Sequence, residues 1–303
     1  MTGAAYNYIV TALLVVTTSF SQNKNDEVTQ LKKDVYYLAS DALQGRAPGT
    51  QGAELAAEFI VNRFKEVGLK PFLGNSYQES FTFQEEGDTI STENLFACTN
   101  PAKSKKLIIT AHYDHLGLKS THSREIFQNK IHNGADDNAS GVALLLALAD
   151  YFMEHESKFN YNIVFICFSG HESGLFGSAD FVNKHKNEIK NTAFVLNFDM
   201  VGRLNKQEAN PEILFRITDK SSWKEQDIPQ SASGLKVRIL SEEVTLDHTV
   251  FSTLGIPAAT LSTGIHDDYH KATDDAAKIN FEGIVKIKKY LETYCNKVLD
   301  IKT

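Results

Sequence analysis

Histidine and acidic residues gather at five short places in this sequence. The five segments are His112–His115, Asp136–Asn138, His171–Glu172, Asp199 and His266–His270. Imidazole nitrogens and carboxylate oxygens are ligands that zinc accepts in proteins. A single segment of this kind is usually a surface loop or a helix start, because Asp and Asn favour those positions. Their joint occurrence in one chain instead indicates a metal centre assembled from several loops.

The residue types also suggest a chemistry. Two imidazoles and three carboxylates form a plausible ligand set for two zinc ions, with one carboxylate bridging the pair. Two ions about 3.5–4 Å apart can share a hydroxide and polarise a carbonyl group, which is metal-assisted hydrolysis. Thiolate ligands are not expected, because the three cysteines include no Cys-x-x-Cys pair and Cys167 lies in an apolar run.

Most of these segments follow an apolar run that has the length of a buried strand. Leu107–Ala111, Ile163–Phe168 and Phe194–Phe198 are short and continuously apolar, which is typical of strands buried on both faces. A fourth run, Ile256–Leu261, precedes the last segment. Open α/β sheets place their sites beyond the carboxyl ends of the strands. The histidines and acids are therefore expected to meet at one edge of a sheet.

Helical patterns alternate with these strands. Helices are predicted at Gly141–Tyr151, where Ser140 opens the helix, at Phe176–His185 and at Phe281–Val298. This alternation predicts the α/β class, with a mixed, mostly parallel central sheet and helices on both faces.

No long linker or internal repeat divides the chain. We therefore expect a single domain over residues 22–303, with an N-terminal helical segment, residues 22–90, packed on it. The stretch Arg203–Val237 shows little periodicity and is a candidate wall of a substrate pocket. Arg203 follows the Asp199 segment directly, where it would either meet a substrate carboxylate or, as we favour, form a structural ion pair.

The composition excludes several classes of protein. Hydrophobic residues make up 42% of the 303 residues and charged residues 23%, which fits a globular chain and not a disordered one. The formal net charge is −7, and no basic run carries interleaved aromatic residues. Binding to nucleic acid is therefore not expected.

The start of the chain has the features of a signal peptide. Residues 1–21 carry no charge, and the apolar run Ile9–Val16 is followed by the small residues Ser19 and Ser21. The usual basic residue near the start is missing, so a short buried helix or strand is the alternative. The run is too short to span a bilayer as a helix. We expect removal of residues 1–21 and export to the periplasm or the medium, with no membrane span in the mature chain. The sequence does not determine the oligomeric state.

The order and spacing of the motifs resemble those of the co-catalytic zinc aminopeptidases of metallopeptidase family 28, a family that also includes the glutaminyl cyclases. The matching segments are Leu38–Gly49, Ala111–Gly117, Gly134–Gly141, Glu172–Ser178, Asp199–Gly202, Asp247–His248 and Tyr269–His270. They extend over nearly the whole mature chain, and their common order is far more specific than any one of them. The resemblance implies a zinc-exopeptidase fold, a peptide substrate and hydrolysis of N-terminal residues through a hydroxide bound by two zinc ions.

The resemblance also implies which residues hold the metal. His112 and Asp199 would bind one zinc ion, and Glu172 and His270 would bind the other. Asp136 would bridge the two ions.

Three further features are implied by the resemblance. Asp114 would accept a hydrogen bond from the far nitrogen of His112 and so fix the tautomer of that ring. The peptide bond between Asp136 and Asp137 would be cis. His248 would face the tetrahedral intermediate, although an ordinary loop histidine is an equally open interpretation.

One position departs from the family pattern. Relatives usually carry two consecutive glutamates, of which the first is the general base and the second a ligand, whereas this chain has His171 and Glu172. His171 could be the base itself, and nearby zinc should then lower its pKa and keep it neutral. Alternatively, the site binds zinc but turns over slowly, or His171 is a metal ligand. Two other functions also stay open: a glutaminyl cyclase-like acyltransferase, and a catalytically impaired zinc-binding homologue.

Overall fold

A computed structural model describes residues 25–118, 120–125, 130–218, 228, 231–241 and 244–299. The predicted signal peptide, residues 1–21, lies outside the described residues, so its removal and the export of the chain stay predictions. Within the described ranges, none of the helices is both long enough and apolar enough to cross a membrane.

Ten strands of the described part of the chain form one sheet. They are β1 (Lys70–Pro71), β2 (Gln78–Glu85), β3 (Asp88–Cys98), β4 (Lys106–His112), β5 (Asn162–Phe168), β6 (Thr192–Phe198), β7 (Glu212–Ile217), β8 (Ser231–Ala232), β9 (Leu235–Leu240) and β10 (Ala258–Ser262). Their spatial order is β1-β3-β5-β4-β6-β10-β7-β9-β8, and β2 forms a hairpin with β3.

The centre of the sheet is parallel. Strands β5, β4, β6 and β10 run in the same direction, whereas β3 and β7 pair antiparallel with β5 and β10 at the two sides. In register, His112 lies beside Phe168, and Phe198 lies beside Ala111 and Leu261. The four central strands therefore end level with one another, and the loops that follow them share one edge.

Six α-helices are assigned to the described residues. They are α1 (25–38), α2 (Gln51–Val67), α3 (Gly141–Glu154), α4 (Phe176–Lys184), α5 (Asp247–Ser252) and α6 (Phe281–Val298). Local sequence sets their ends. Thr50 accepts a hydrogen bond from the amide of Ala53 at the start of α2, and Gly68 ends that helix in the left-handed conformation. Asn280 caps α6 in the same way through the amide of Gly283.

Alternate residues of the central strands enter two separate cores. In β4, Leu107 and Ile109 belong to the larger core, which contains side chains of α1, α2, α3 and α6. Ile108 belongs to the smaller core on the other face, with Phe181 of α4 and Phe251 of α5. Burial of each such aliphatic or aromatic side chain stabilises the fold by roughly 1.5–3 kcal/mol. The predicted α/β fold, a mixed sheet with helices on both faces, is confirmed.

The largest difference from the sequence prediction lies in the stretch Arg203–Val237. It contains β7, β8 and the start of β9, although little periodicity indicated them. These strands lie towards one side of the sheet, and β9 alternates between buried or half-buried and exposed side chains over Leu235–Ile239. The partly buried strand β9 has no continuous apolar run, and the apolar run of β7, Ile213–Phe215, is only three residues long before Arg216 interrupts it.

Candidate metal centre

The loops that follow the four central strands bring the predicted site residues together. His112 is the last residue of β4, His171 and Glu172 follow β5, and Asp199 follows β6. His270 lies in the loop after β10. Because these strands are parallel, their carboxyl ends meet at one edge, as the sequence predicted.

The first half of the centre surrounds Nε2 of His112. This nitrogen lies 3.3 Å from Oδ1 of Asp137 and 3.9 Å from Oδ1 of Asp199. The side chain of His112 is fully buried, and its Nε2 makes no hydrogen bond in the described part of the chain. Its Nδ1 lies 3.2 Å from the carbonyl oxygen of Asp114, which can only accept, so Nδ1 carries a proton. In the neutral ring it is then the Nε2 lone pair that faces the acids.

The second half of the centre surrounds Nε2 of His270. This nitrogen lies 3.2 Å from Oε2 of Glu172 and 3.3 Å from Oδ2 of Asp137. Nδ1 of His270 donates to the carbonyl oxygen of His122 at 3.0 Å, so in the neutral ring the Nε2 lone pair also points inward. The other oxygen of Glu172, Oε1, accepts a hydrogen bond from Nδ1 of His115 at 2.9 Å.

The arrangement fits a pair of metal ions. Zinc holds nitrogen and oxygen ligands at about 2.0–2.2 Å, so tetrahedral ligand atoms lie roughly 3.3–3.5 Å apart. The separations around His112 and His270 are close to this, and Oδ2 of Asp137 is a further buried atom without a hydrogen bond among the described residues. Buried carboxylates in such numbers are costly without cations beside them.

The surrounding histidines keep the central acids ionised. Burial by itself acts to raise the pKa of Asp137, but the imidazoles of His112 and His270 hold that pKa well below its ordinary value. Burial and Asp137 act to raise the pKa of Glu172, whereas His115 and His270 lower it below its ordinary value. Both carboxylates therefore present negative charge to the centre at neutral pH, as cation ligands must.

The structure corrects the predicted bridging residue. The carboxylate of Asp136 is occupied elsewhere: Oδ1 accepts from the amide of Gly202 at 2.6 Å and the hydroxyl of Ser140 at 2.9 Å. Its Oδ2 accepts from Nε2 of His266 at 3.1 Å. Asp137, and not Asp136, lies between the two histidines of the centre. The cis peptide bond is likewise displaced by one residue, since it joins Asp137 to Asn138 and not Asp136 to Asp137.

The buried acid Asp274 holds the loop that carries Asp136 and Asp137 in place. Oδ2 of Asp274 accepts hydrogen bonds from the amides of Asp136 and Asp137, at 2.8 and 3.0 Å. Its Oδ1 accepts from Arg203 at 2.9 Å, and Arg203 also bonds Asp268 at 3.2 Å. Arg203 therefore forms the structural ion pair that the sequence favoured.

A glycine at the start of the same loop allows a close approach. Gly134 has a φ of 57°, and a Cβ atom there would lie 2.3 Å from the carbonyl oxygen of Asp137 and 2.5 Å from the ring of His115. Glycine takes up this left-handed conformation without strain and, having no Cβ, leaves that space free.

Asp114 supports the site differently from the prediction. Its carboxylate lies 3.7 Å from Nδ1 of His112, too far for a hydrogen bond, and the backbone carbonyl of Asp114 takes that place. The carboxylate instead accepts from the amides of His171 and Glu172, at 3.3 and 3.2 Å. Asp114 thus fixes the backbone of the residues after β5.

His171, which takes the position of the usual glutamate, contacts both the centre and a buried acid. Its ring stacks on that of His112, with the centroids 3.8 Å apart and the planes inclined by 8°. Nδ1 lies 2.7 Å from Oδ2 of Asp247, a fully buried residue at the start of α5, and Nε2 lies 3.9 Å from Oδ2 of Asp199.

The charge of His171 depends on these acids. Burial and the ring of His112 act to lower the pKa of His171, but the carboxylate of Asp247 outweighs them and raises it to about 9. Bound zinc is expected to lower the pKa of His171, whereas the carboxylates of Asp247 and Asp199 act in the opposite direction.

His248 belongs to a polar chain that crosses the sheet. Thr110 donates to Oδ1 of Asn197 at 2.8 Å, and Nδ2 of Asn197 donates to the hydroxyl of Thr260 at 3.0 Å. The Thr260 hydroxyl accepts from Asn197, so it can donate its own proton to Nδ1 of His248, which lies 2.8 Å away. Burial lowers the pKa of His248 to about 4. These contacts tie His248 to the sheet, and its role towards an intermediate stays a prediction.

Three residues with a place in the site were missed. His115 was seen only as part of its segment, Asp247 only as part of the Asp247–His248 motif, and Asp274 was not considered. For Asp247, the available signal was the unusual histidine at 171, since a buried imidazole commonly has a carboxylate partner.

A small cavity adjoins the centre. It measures about 100 Å³ and is lined by Glu172, His115 and His122 together with Pro48 and Glu86. A larger cavity of about 570 Å³ lies between α1, α3 and α6 and does not include the metal-centre residues. The small cavity therefore lies on the Glu172 side of the metal centre.

Residues 94–295 match the sequence model of a family described as "Peptidase family M28". The "probable leucine aminopeptidase" of Arthroderma otae is 25% identical over 290 residues, which cover 91% of this chain and 72% of that protein. The "alkaline phosphatase isozyme conversion protein" of Escherichia coli is 26% identical over 162 residues, or 51% of this chain. The match spans less than half, 46%, of the E. coli protein.

Solved structures show the same fold. A glutaminyl cyclase of Porphyromonas gingivalis superposes with a TM-score of 0.72 at 18% identity, covering 89% of this chain and 97% of that chain. A "Zn-dependent exopeptidase" of Parabacteroides distasonis superposes with a TM-score of 0.67 at 18% identity, covering 89% and 98%. At this level of identity the likeness establishes the architecture alone.

Proposed function

The chain belongs to peptidase family M28, and from this premise we propose that it is a zinc-dependent aminopeptidase that hydrolyses N-terminal residues from peptides. The observation that carries the proposal is the shared carboxylate of Asp137. One oxygen lies 3.3 Å from Nε2 of His112 and the other lies 3.3 Å from Nε2 of His270. One carboxylate could therefore contribute a ligand atom to each of two metal sites.

Five residues would hold the metal. His112 and Asp199 would bind one zinc ion, Glu172 and His270 the other, and Asp137 both. When bound, the two ions would polarise the substrate carbonyl and lower the pKa of the attacking water.

We assign the general-base role to His171. The ring planes of His171 and His112 are nearly parallel and their centroids lie 3.8 Å apart. Their in-plane Nε2 lone pairs therefore lie in separate planes, which disfavours joint coordination of one ion. Nε2 of His171 would take the proton from water as the oxygen bonds to the carbonyl carbon. The same nitrogen would then pass that proton to the leaving amine as the C–N bond breaks.

Metal content measured together with activity tests the proposal. The protein should bind about two zinc ions per chain and release the chromophore from aminoacyl-anilides. A chelator should abolish this activity, and zinc should restore it. Failure to bind zinc, or activity that survives complete metal removal, would contradict the assignment.

A peptide with N-terminal glutamine separates the proposal from glutaminyl cyclisation. An aminopeptidase releases free glutamine and the shortened peptide, whereas a cyclase forms pyroglutamate without shortening the chain. Exclusive formation of pyroglutamate would replace the proposed function. Bound zinc with no turnover of either kind would identify a catalytically impaired homologue.

The substitution His171→Glu tests the general base. If His171 is the base in its present surroundings, the variant loses activity, because the pocket is arranged around an imidazole. A large gain in activity would instead show that the parent turns over slowly for want of a glutamate. Zinc content should be measured for both proteins, so that a change in metal binding is not mistaken for a change in proton transfer.

A further inference from the structure

Asp247 is a fully buried carboxylate beside the site, outside the set of residues proposed to hold metal. Its Oδ2 lies 2.7 Å from Nδ1 of His171, and its Oδ1 makes no hydrogen bond in the described part of the chain. Enclosing an acid in this way is costly unless it is paired. His171 is its closest partner, and His112 and the hydroxyl of Ser178 also act to lower the pKa of this carboxyl.

We propose that Asp247 is the positioning residue that makes His171 a proton acceptor at Nε2 alone. The inference rests on the proposed function, in which His171 is the general base. Asp247 does not contact the reacting atoms in this role. It acts through the imidazole, whose orientation and tautomer it determines.

The tautomer is the first step of the argument. A neutral imidazole carries its proton on one nitrogen and accepts on the other. The ionised carboxylate of Asp247 can only accept a hydrogen bond, so at 2.7 Å it holds the His171 proton on Nδ1. In the neutral ring the Nε2 lone pair is then free to take a proton from water. The resulting imidazolium keeps its Nδ1 proton and lies against a negative charge.

The orientation of the ring is the second step. The stacking on His112 fixes the plane of the His171 ring, and the bond to Asp247 fixes its rotation in that plane. The amide of His171 is held by Asp114 at 3.3 Å. Three contacts from three elements thus direct Nε2 towards the Asp199 side of the centre, where it lies 3.9 Å from Oδ2.

The pairing is specific to histidine at position 171. A glutamate there has no tautomer to select and no ring nitrogen to donate to Asp247. The contribution of Asp247 should therefore depend on His171. A residue that only supports the fold would contribute equally with either side chain.

A double-mutant cycle on the zinc-loaded protein measures this dependence. It compares the parent, Asp247→Asn, His171→Glu and the double variant on an aminoacyl-anilide. In the parent background, Asp247→Asn should lower kcat about 10–100-fold and change KM less than about threefold. In the His171→Glu background the same change should alter kcat less than about threefold. Equal fold losses in both backgrounds would overturn the proposal.

Asp180→Asn is the matched control. Asp180 is a half-buried residue of α4 that pairs with Lys184 at 2.8 Å. Its substitution should leave kcat and KM unchanged. Thermal unfolding and zinc content should be recorded for every variant, and Asp247→Ser serves as a second variant if Asp247→Asn does not fold.

A spectroscopic measurement tests the inference without turnover. In protein labelled with ¹⁵N at its histidine rings, His171 should show a protonated Nδ1 with its proton at low field, assigned by its absence in His171→Glu. This signal should be lost in Asp247→Asn. A His171 proton on Nε2, or a signal unchanged in Asp247→Asn, would overturn the proposal even in an active enzyme. If the signal behaves as expected but no peptide is hydrolysed, the proposed function fails and the pairing stands.

Discussion

Asp136 and Asp137 are neighbours in the chain and both are buried, yet they belong to two differently built regions. Asp136 lies in a support region, where protein donors fill its carboxylate: the amide of Gly202, the hydroxyl of Ser140 and the ring of His266. Asp137 lies in the metal centre, between imidazole nitrogens, and its Oδ2 has no hydrogen bond among the described residues.

The two regions also differ in charge. Burial raises the pKa of Asp136, and the bond from His266 only partly offsets this. For Asp137 burial acts in the same direction, but His112 and His270 prevail and hold its pKa well below the ordinary value. Burial therefore outweighs the fixed donors at Asp136, whereas the two imidazoles beside Asp137 favour its anion. The two residues are of the same type, so what distinguishes the supporting acid from the candidate metal ligand is how many of its carboxylate oxygens accept hydrogen bonds from the protein.

The largest expected effect comes from the same substitution at the two neighbours. Asp137→Asn should remove the shared ligand, bring zinc binding below two equivalents and lower kcat/KM by about 10³-fold or more. Asp136→Asn should cost less than about tenfold, because an amide oxygen can still accept from Gly202 and Ser140. Zinc content and aminoacyl-anilide kinetics measure both. A reversed order of effects would restore Asp136 as the bridging residue.

This pair also shows how far the sequence could be read. The strands of the central sheet were predictable because Leu107–Ala111 and its counterparts are continuous apolar runs, and parallel strands must end at one edge. His112, Glu172, Asp199 and His270 were predictable because they follow those strands. The sequence could not predict which of Asp136 and Asp137 faces the centre. That choice depends on the direction of one peptide unit and on donors more than 60 residues away, such as Gly202.

The next largest effect should come from the acid that holds the loop. Asp274→Asn removes the charge opposite Arg203, while the side chain at position 274 still faces the amides of Asp136 and Asp137. We expect a 10–100-fold lower kcat/KM and weaker zinc binding, because Asp137 is then held less firmly. Asp268→Asn is the control, since Asp268 also pairs with Arg203 but does not touch the loop amides. Similar losses of kcat/KM and zinc binding in both variants would show that the ion pair with Arg203, and not the contact with the loop amides, causes the loss.

A smaller effect is expected where the loop approaches His115. Gly134→Ala should destabilise the protein by roughly 3 kcal/mol and weaken zinc binding, because backbone strain and a close contact with Asp137 add together. Gly74→Ala is matched to it, since Gly74 has the same φ of 57° but open space where the Cβ would lie. That control should cost only about 1–2 kcal/mol of strain. Denaturant unfolding and zinc titration compare the two; equal losses would contradict a role for the close contact.

The smallest effect extends the comparison to the histidines. Nε2 of His112 has no hydrogen bond among the described residues, whereas His248 has a fixed partner in Thr260. Burial lowers the pKa of His248 to about 4, below its ordinary 6.5. In the unfolded chain this ring binds a proton near pH 6.5, whereas in the folded chain it does so only near pH 4. Its contribution to stability is therefore complete above about pH 6.5 and is lost as the pH falls to about 4.

Replacing His248 by Asn should remove that dependence. Between pH 7 and pH 4, the free energy of unfolding of the parent should fall by about 3 kcal/mol more than that of His248→Asn. Urea unfolding at a series of pH values measures both curves. Parallel curves would mean that His248 binds a proton as readily in the folded protein as in the unfolded chain. That result would contradict its place as a neutral member of the polar chain in the sheet.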